Sequence, residues 1–151
     1  MEILEFQNKF TEDIKHVAFS ALRGVGIMNK VGKVLTDRDE DLDRILEIYR
    51  ERGRFWVAVQ NEKVIGTVGI KEIDNTTAKL KRMFILPDHQ GRGVGRMLLD
   101  HALSFAKAQG YTKIILRTDK LMTGAHAFYE KNSFRRTGED EGRFCYEKSL
   151  D

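Results

Sequence analysis

Cysteine and long apolar runs are both scarce in this chain. Cys145 is the only cysteine, so an internal disulfide bond is excluded and a reducing compartment is favoured; we expect a cytoplasmic protein. No apolar run reaches 18 residues, and the start lacks the basic and apolar regions of a signal peptide. The sequence therefore predicts neither a membrane span nor a leader.

The chain also lacks a large excess of either positive or negative charge. Lys and Arg total 26 against 23 Asp and Glu, which leaves a formal net charge of +3. Without a basic patch interleaved with aromatic residues, nucleic acid is not an expected partner. The four histidines share no metal-ligand spacing, so no metal is expected. No Ser–His–Asp or Cys–His pattern indicates a nucleophilic catalytic site. With neither linker nor repeat, residues 1–151 are predicted to form a single globular domain.

The one proline precedes the most informative stretch of the chain. Pro87 ends a short apolar segment, Leu80–Leu86, that is typical of a strand. Three alternating glycines follow, namely Gly91, Gly93 and Gly95. From Val94 onward apolar residues recur at helical spacing. This order predicts a strand, a glycine-rich turn and a helix, whose first N–H groups would converge on a phosphate or pyrophosphate.

The spacing of this turn separates the known phosphate-binding motifs. A Walker loop requires Lys-Ser/Thr after its last glycine, but Arg-Met follows Gly95, and the glycine spacing does not fit Gly-x-Gly-x-x-Gly. Gln90–Gly95 instead fits Gln/Arg-x-x-Gly-x-Gly/Ala. With this turn, the strand ending in Ile85–Pro87 and the downstream Ala125–Phe134 segment, the chain resembles the GNAT superfamily of coenzyme-A-dependent N-acetyltransferases.

The resemblance implies a mixed α/β (α+β) fold. Its central sheet would be mostly antiparallel, flanked by helices and splayed between the central and fifth strands, in the order β-α-α-β-β-β-α-β-α-β. Apolar stripes predict two early helices. Thr11 caps the first and Arg23–Gly26 ends it, whereas the second follows Thr36–Asp39 and stops at Gly53. A charged turn is predicted over Gly138–Gly142.

The same resemblance implies acetyl-coenzyme A as the co-substrate. Its pantetheine arm would enter the splay, where Met83 and Ile85 offer backbone groups and Phe84 faces away. The pyrophosphate would rest on backbone N–H groups of the turn, and Arg92 and Arg96 would add positive charge. The predicted cofactor-binding residues are Met83, Phe84, Ile85, Gln90, Gly91, Arg92, Gly93, Val94, Gly95 and Arg96.

Tyr129 and Glu72 are the predicted catalytic residues. Acyl transfer expels coenzyme A as a thiolate, and the Tyr129 phenol could donate a hydrogen bond or proton to that sulfur. The family often places Glu at the start of the central strand, but Lys79 lies there, so Glu72 on the preceding strand becomes the candidate base, acting through water. The alternatives are a core position for Tyr129 and a solvated strand end for Glu72. Two further positions depart from the family pattern: Met122, near a common Asn, and Ser133, in place of Gly.

The predicted activity is acetyl transfer to a primary amine by direct attack in a ternary complex. The alternative is a coenzyme-A-binding sensor or interaction domain without turnover. The acceptor would be a small molecule or a peptide, and a homodimer is compatible with the sequence. In the family, the segment joining the first two helices lines the acceptor side. Here that segment carries Arg23, Lys30 and Lys33 without an acidic residue, which favours an acceptor with a negative group beside its amine, unless these side chains face solvent.

Overall fold

The computed structural model describes residues 1–24 and 40–150. The strands are β1 (Glu2–Glu5), β2 (Arg54–Gln60), β3 (Lys63–Glu72), β4 (Thr77–Ile85), β5 (Lys113–Asp119), β6 (Arg135–Asp140) and β7 (Arg143–Ser149). The helices are α1 (Thr11–Gly24), α2 (Ile45–Ile48), α3 (Val94–Ala108) and α4 (Thr123–Lys131), with 3-10 turns at Asn8–Phe10, Glu40–Asp43 and Pro87–His89. Across the described ranges, no helix is long and apolar enough to cross a bilayer.

These strands form one mixed sheet in the order β1-β2-β3-β4-β5-β7-β6. All neighbours are antiparallel except β4 and β5. That parallel pair is short, running only from Thr77 opposite Lys113 to Lys79 opposite Ile115. β4 then continues to Ile85 and β5 to Asp119 without pairing with each other, so these two strands diverge. The predicted mixed sheet, splayed between its central and fifth strands, is confirmed.

A β-bulge bends the central strand where the splay opens. Thr67 pairs with Phe84 and Gly69 with Lys81, so one residue of β3 faces two of β4. Arg82 adopts a φ of 55° there, and its carbonyl accepts a 2.6 Å hydrogen bond from the Thr67 hydroxyl. The bulge was not predicted, and β4 also begins at Thr77 rather than at Leu80.

The core lies between the sheet and its helices. α1 packs on β3 and β4 and buries the predicted stripe that includes Ile14, Val17 and Ala18. α3 packs on β2, β3 and β4 and buries Leu98 and Ala102. These contacts hold the start of α3 beside the end of β4, where the glycine-rich turn connects them.

The second early helix is much shorter than predicted. In place of a continuous helix ending at Gly53, the chain forms a 3-10 turn and the single-turn α2. Glu51 adopts a φ of 59°, which no α-helix can contain, and Leu46, from the predicted apolar stripe, is 62% exposed. The predicted cap over Thr36–Asp39 lies outside the described residues.

The charged turn before the last strand is also shorter than predicted. β6 extends to Asp140, leaving only Glu141 and Gly142 between β6 and β7. Glu139 and Asp140 pair with Phe144 and Arg143 of β7 in the sheet. Their side chains also meet cations, since Asp140 accepts a 2.5 Å hydrogen bond from Arg117 and Glu139 pairs with Lys120.

Candidate active site

The splay between β4 and β5 contains two adjoining cavities. The larger, here called the turn cavity, measures about 560 Å³ and reaches the glycine-rich turn. The smaller, here called the strand cavity, measures about 180 Å³ and lies along β4, β5 and the start of β7. The residues lining both are Met83, Phe84, Met122, Ala125 and Tyr129. The two cavities therefore meet at Tyr129.

The glycine-rich turn leaves its backbone donors available. Gly91 and Gly93 have φ values of 76° and 84°, and a Cβ atom built on either would meet no atom within 4 Å. The first hydrogen bond of α3 runs from Met97 N to Gly93 O, at 3.1 Å. Among the described residues, no acceptor is found for the N–H groups of residues 91–96. These donors at the positive end of α3 suit a pyrophosphate.

Most of the predicted cofactor-binding residues surround the turn cavity. Eight of the ten line it: Met83, Phe84, Ile85, Gln90, Gly91, Gly93, Gly95 and Arg96. The other two do not line it: Arg92 is exposed, and Val94 is buried in the core. The Arg96 guanidinium bonds to Asp100 at 3.2 Å on the surface of α3. Phe84, expected to face away from the pantetheine arm, lines both cavities.

The backbone of Ile85 faces the splay. Leu86 N donates to Ile65 O at 2.9 Å, so the neighbouring Ile85–Gly66 pair is a non-hydrogen-bonded one. The peptide groups of Ile85 therefore point away from β3 and toward β5. Its carbonyl accepts a 3.2 Å bond from the Gln90 side chain, which ties the turn to the end of β4.

Several residues of the turn cavity were not predicted from the sequence. They are Ala21, His89, Met122, Gly124, Ala125, Phe128 and Lys131. His89 is notable because its Nδ1 atom is buried and has no hydrogen-bond partner among the described residues. Its position one residue before the Gln90 motif was the only signal in the sequence.

Tyr129 differs from the other tyrosines in its hydroxyl group. The hydroxyls of Tyr49, Tyr111 and Tyr146 donate to Asp41, the Arg52 carbonyl and Glu130, respectively. In the described parts of the chain, no hydrogen bond is found for Tyr129 Oη, although the residue is only 6% exposed. Burial raises the pKa of this phenol above its usual 10, so it is protonated at neutral pH. Its proton is thus available at the junction of the cavities.

Glu72 does not lie with these residues. It belongs to neither cavity lining, and its carboxylate accepts a 2.8 Å hydrogen bond from Arg52. It faces Ala78 across the β3–β4 ladder, toward the start of β4, whereas Met83 and Tyr129 lie near its end. The Arg52 guanidinium also donates to Gln109 O at 2.8 Å, so Glu72 takes part in a contact that holds the end of α3. A role for Glu72 as base stays a prediction.

Cationic side chains dominate the strand cavity. They are Lys79, Lys81, Arg82, Arg117 and Arg143. Burial, followed by the charges of Arg117, Lys81, Arg143 and Lys71, lowers the pKa of Lys79 to about 8. Among the described residues, the one acidic side chain in this lining is Asp119, whose Oδ1 accepts a 2.8 Å hydrogen bond from Leu121 N. Arg23, from the segment expected to supply positive charge, is exposed at the end of α1 and is not part of this lining; Lys30 and Lys33 lie outside the described residues.

Comparison with known proteins identifies the family of this chain. The pattern of the Acetyltransferase (GNAT) family matches residues 25–134. The chain belongs to the GNAT acetyltransferase family. Its relatives include human N-acetyltransferase 8, 37% identical over 112 residues that make up 70% of this chain and 48% of the relative. Another is N-acetylaspartate synthetase of Danio rerio, 35% identical over 88 residues, or 58% of this chain and 31% of that protein. This GNAT chain thus spans about half or less of these relatives' length.

Solved structures of GNAT proteins match the fold along its whole length. A GNAT acetyltransferase from Staphylococcus aureus superposes with a TM-score of 0.88 at 26% identity, and 99% of each chain is covered. PaiA N-acetyltransferase from Thermoplasma acidophilum, solved in complex with coenzyme A, superposes with a TM-score of 0.84 at 21% identity, and 98% of each chain is covered. The predicted family and fold class are confirmed by these matches.

Proposed function

We propose that this GNAT chain transfers an acetyl group from acetyl-coenzyme A to a primary amine by direct attack within a ternary complex. The observation that carries the proposal is the meeting of two cavities at one buried phenol. The turn cavity would take the cofactor and the strand cavity the acceptor, with Tyr129 between them. The thioester and the amine would then approach each other across Met83, Phe84 and Tyr129.

The residues of the turn cavity fit coenzyme A. Space without side chains at Gly91 and Gly93 allows a pyrophosphate to approach the unpaired N–H groups of the turn. The buried His89 Nδ1, which has no partner among the described residues, could also form a hydrogen bond with the cofactor, because a buried polar nitrogen gains from such a bond. The backbone of Ile85, directed into the splay, offers hydrogen bonds to the amides of the pantetheine arm.

Tyr129 supplies the leaving-group side of the reaction. Bound acetyl-coenzyme A provides an acyl carbon at which the amine forms a C–N bond while the C–S bond breaks. The Tyr129 hydroxyl, which is protonated and has no partner in the described parts of the chain, donates a hydrogen bond or its proton to the departing sulfur. Its ring packs against Phe128, Phe134 and Tyr146, which fixes the direction of the hydroxyl.

The amine must arrive without its proton. A lysine-like amine has a pKa of ~10.4, but the α-amine at a peptide N-terminus, with a pKa of ~8, loses its proton readily near neutral pH. The cations that lower the pKa of Lys79 would act on an acceptor ammonium in the same way. Asp119 lines the strand cavity and offers a carboxylate that can accept a hydrogen bond from the amine. An α-amine therefore suits this site better than a lysine side chain.

The test is amine-dependent release of thiol from acetyl-coenzyme A. We expect release with at least one member of a panel of amino acids, peptides, polyamines and aminoglycosides, and a product heavier by one acetyl group. A reaction without amine gives the background hydrolysis. If coenzyme A binds but no amine raises release above that background, the chain is a coenzyme-A-binding sensor, and the enzymatic proposal is wrong.

A further inference from the structure

Three strands bring positive charge to one face of the sheet. Lys79 and Lys81 are two residues apart on β4, so their side chains share a face. Lys79 lies beside Ile115, and Arg117 is two residues farther along β5, on that same face. Arg143 on β7 lies opposite Asp119 and shares its face in turn. Because β4 and β5 diverge after Ile115, these side chains line an opening instead of packing together.

Two cations of this opening, Lys79 and Lys81, have no ion-pair partner among the described residues. Lys79 and Lys81 are both partly buried, and no ion pair or hydrogen bond joins their side chains to any residue of the ranges 1–24 and 40–150. Burial, followed by neighbouring cations, lowers the pKa of Lys79. Burial also lowers the pKa of Lys81, although the charge of Asp41 acts in the opposite direction. Arg117 does have a partner, Asp140, on the β6 side. Partly buried cations without counter-ions are costly to desolvate, so the site favours an anionic ligand.

The phosphates of coenzyme A do not account for these cations. Their cradle is the glycine-rich turn, at the far end of the turn cavity. The residues common to both cavities are Met83, Phe84, Met122, Ala125 and Tyr129, none of which carries a charge at neutral pH. Since no carboxylate of residues 1–24 and 40–150 pairs with Lys79 or Lys81, we assign the anion to the other substrate. A volume of about 180 Å³ is below the ~300–1,000 Å³ of cavities for drug-sized ligands, which points to a small one.

We infer that the strand cavity is an acceptor subsite for an acidic amino acid, in which Lys79 and Lys81 hold two carboxylates and Arg117 and Arg143 add positive charge. This inference rests on the proposed acetyl transfer and names its substrate class. Arginine binds a carboxylate through two parallel hydrogen bonds, and lysine binds it as a point charge. Asp119, on the same face, is placed to accept a hydrogen bond from the α-amine. A polyamine would meet more like charges than opposite ones in this cavity.

Matched pairs of amino acids test the inference on the unmodified protein. Aspartate and asparagine differ in one charge at nearly constant shape, as do glutamate and glutamine. We expect kcat/KM to be at least about tenfold higher for the acidic member of a pair, since a hydrogen bond between charged groups is worth about 1.5–3 kcal/mol and 1.4 kcal/mol is tenfold. The preference should weaken as salt is added. Equal values within both pairs, or a preference for spermidine, would overturn the inference.

Single substitutions then identify the residues. Lys79→Gln and Lys81→Gln should each raise KM for aspartate several-fold, with much less change for asparagine and for acetyl-coenzyme A. Lys113→Gln is the control, because Lys113 is an exposed lysine on β5 outside both cavity linings. If both cavity variants keep the wild-type ratio of aspartate to asparagine, the cations are not the subsite.

A binding measurement separates this inference from the proposed function. Titration calorimetry on the protein saturated with coenzyme A would compare N-acetylaspartate with N-acetylasparagine, without any need for turnover. Tighter binding of the acidic product supports the subsite even in a protein that releases no thiol. Acetyl transfer with no such difference in binding or in kcat/KM would retain the proposed function and reject the subsite.

Discussion

The Tyr129 hydroxyl is the single group on which the proposed chemistry depends most. We expect Tyr129→Phe to lower kcat at least about tenfold, within the range typical of one lost acid catalyst, and to leave the affinity for coenzyme A nearly unchanged. The ring, with its contacts to Phe128 and Phe134, remains in the variant, so only the proton donor is removed. Steady-state kinetics with a good acceptor and calorimetry with coenzyme A measure the two effects. Unchanged kcat would mean that solvent protonates the sulfur and that Tyr129 is a core residue.

A buried ion pair next to the strand cavity makes a second prediction at this scale. Arg82 donates to both carboxylate oxygens of Asp41, at 2.6 and 3.1 Å, and the Tyr49 hydroxyl donates at 2.6 Å. The two charged side chains are only 12% and 8% exposed. Asp41→Ala leaves Arg82 buried without this partner and should lower the free energy of unfolding by about 3–5 kcal/mol. Asp100→Ala breaks the exposed pair with Arg96 and should cost less than about 1 kcal/mol.

The same ion pair gives stability a defined dependence on pH. Burial alone would raise the pKa of Asp41, but hydrogen bonds and charge from Arg82, with the Tyr49 hydroxyl, hold it below its usual 3.8. Because the pKa is lower in the folded state, the stabilisation is complete above pH 3.8 and is lost as the pH falls through the folded pKa. Urea unfolding at several pH values should show the gap between wild type and Asp41→Ala closing below that point. A constant gap would mean that the charge of Asp41 contributes little.

At the scale of single elements, local sequence patterns predicted the helices and turns whose signals lie in neighbouring residues. The alternating glycines and the stripe beginning at Val94 predicted the turn and α3, because both signals are contained in neighbouring residues. The bulge at Arg82 has no such signal, because it is stabilised by Thr67 on another strand, whose hydroxyl donates a hydrogen bond to the Arg82 carbonyl. The short α2 was missed because Asp41, which accepts from the Tyr49 hydroxyl, is also held by Arg82 of β4, a contact distant in sequence.

The end of α4 gives a prediction about strain in a single element. Ser133 lies between α4 and β6 with a φ of 70°, in the left-handed region, which explains why glycine suits this position. An L-residue pays about 1–2 kcal/mol there, and glycine loses about 0.5–1 kcal/mol in chain entropy, so Ser133→Gly should stabilise by about 0.5–1 kcal/mol. Thermal melting should rise by about 1–4 °C. Ser133→Ala retains the strain and should not raise Tm; an equal rise in both variants would exclude this explanation.

The whole molecule joins parts of the sequence that no motif connects. The predicted cofactor residues were found because they are contiguous with the glycine-rich turn, and eight of the ten line the turn cavity. The cations of the strand cavity come from β4, β5 and β7, and only the parallel pairing of β4 with β5 and the antiparallel pairing of β5 with β7 bring them together. Lys79 was noted in the sequence as a departure from a family pattern, and its cationic neighbours could not be identified before the topology was known.

Binding of coenzyme A should stabilise the whole molecule, because the turn cavity joins β4, the start of α3 and α4. At a cofactor concentration about 100 times its dissociation constant, the expected gain is about 2.7 kcal/mol. For a chain of this size that gain corresponds to a rise in Tm of about 5–10 °C. A thermal melt at increasing concentrations of coenzyme A and of acetyl-coenzyme A measures it.

Gly93→Glu should abolish this rise, because a carboxylate would fill the space at the turn and repel the pyrophosphate. The matched control is Gly142→Glu, in the turn between β6 and β7. Gly142 also has a positive φ, 79°, and no atom within 4 Å of a Cβ built on it, but it lines neither cavity. Both variants carry the same backbone strain and the same added charge, so their melting temperatures without ligand should fall by similar amounts. Only Gly142→Glu should keep the wild-type rise with coenzyme A; an equal rise in Gly93→Glu would show that the pyrophosphate binds elsewhere.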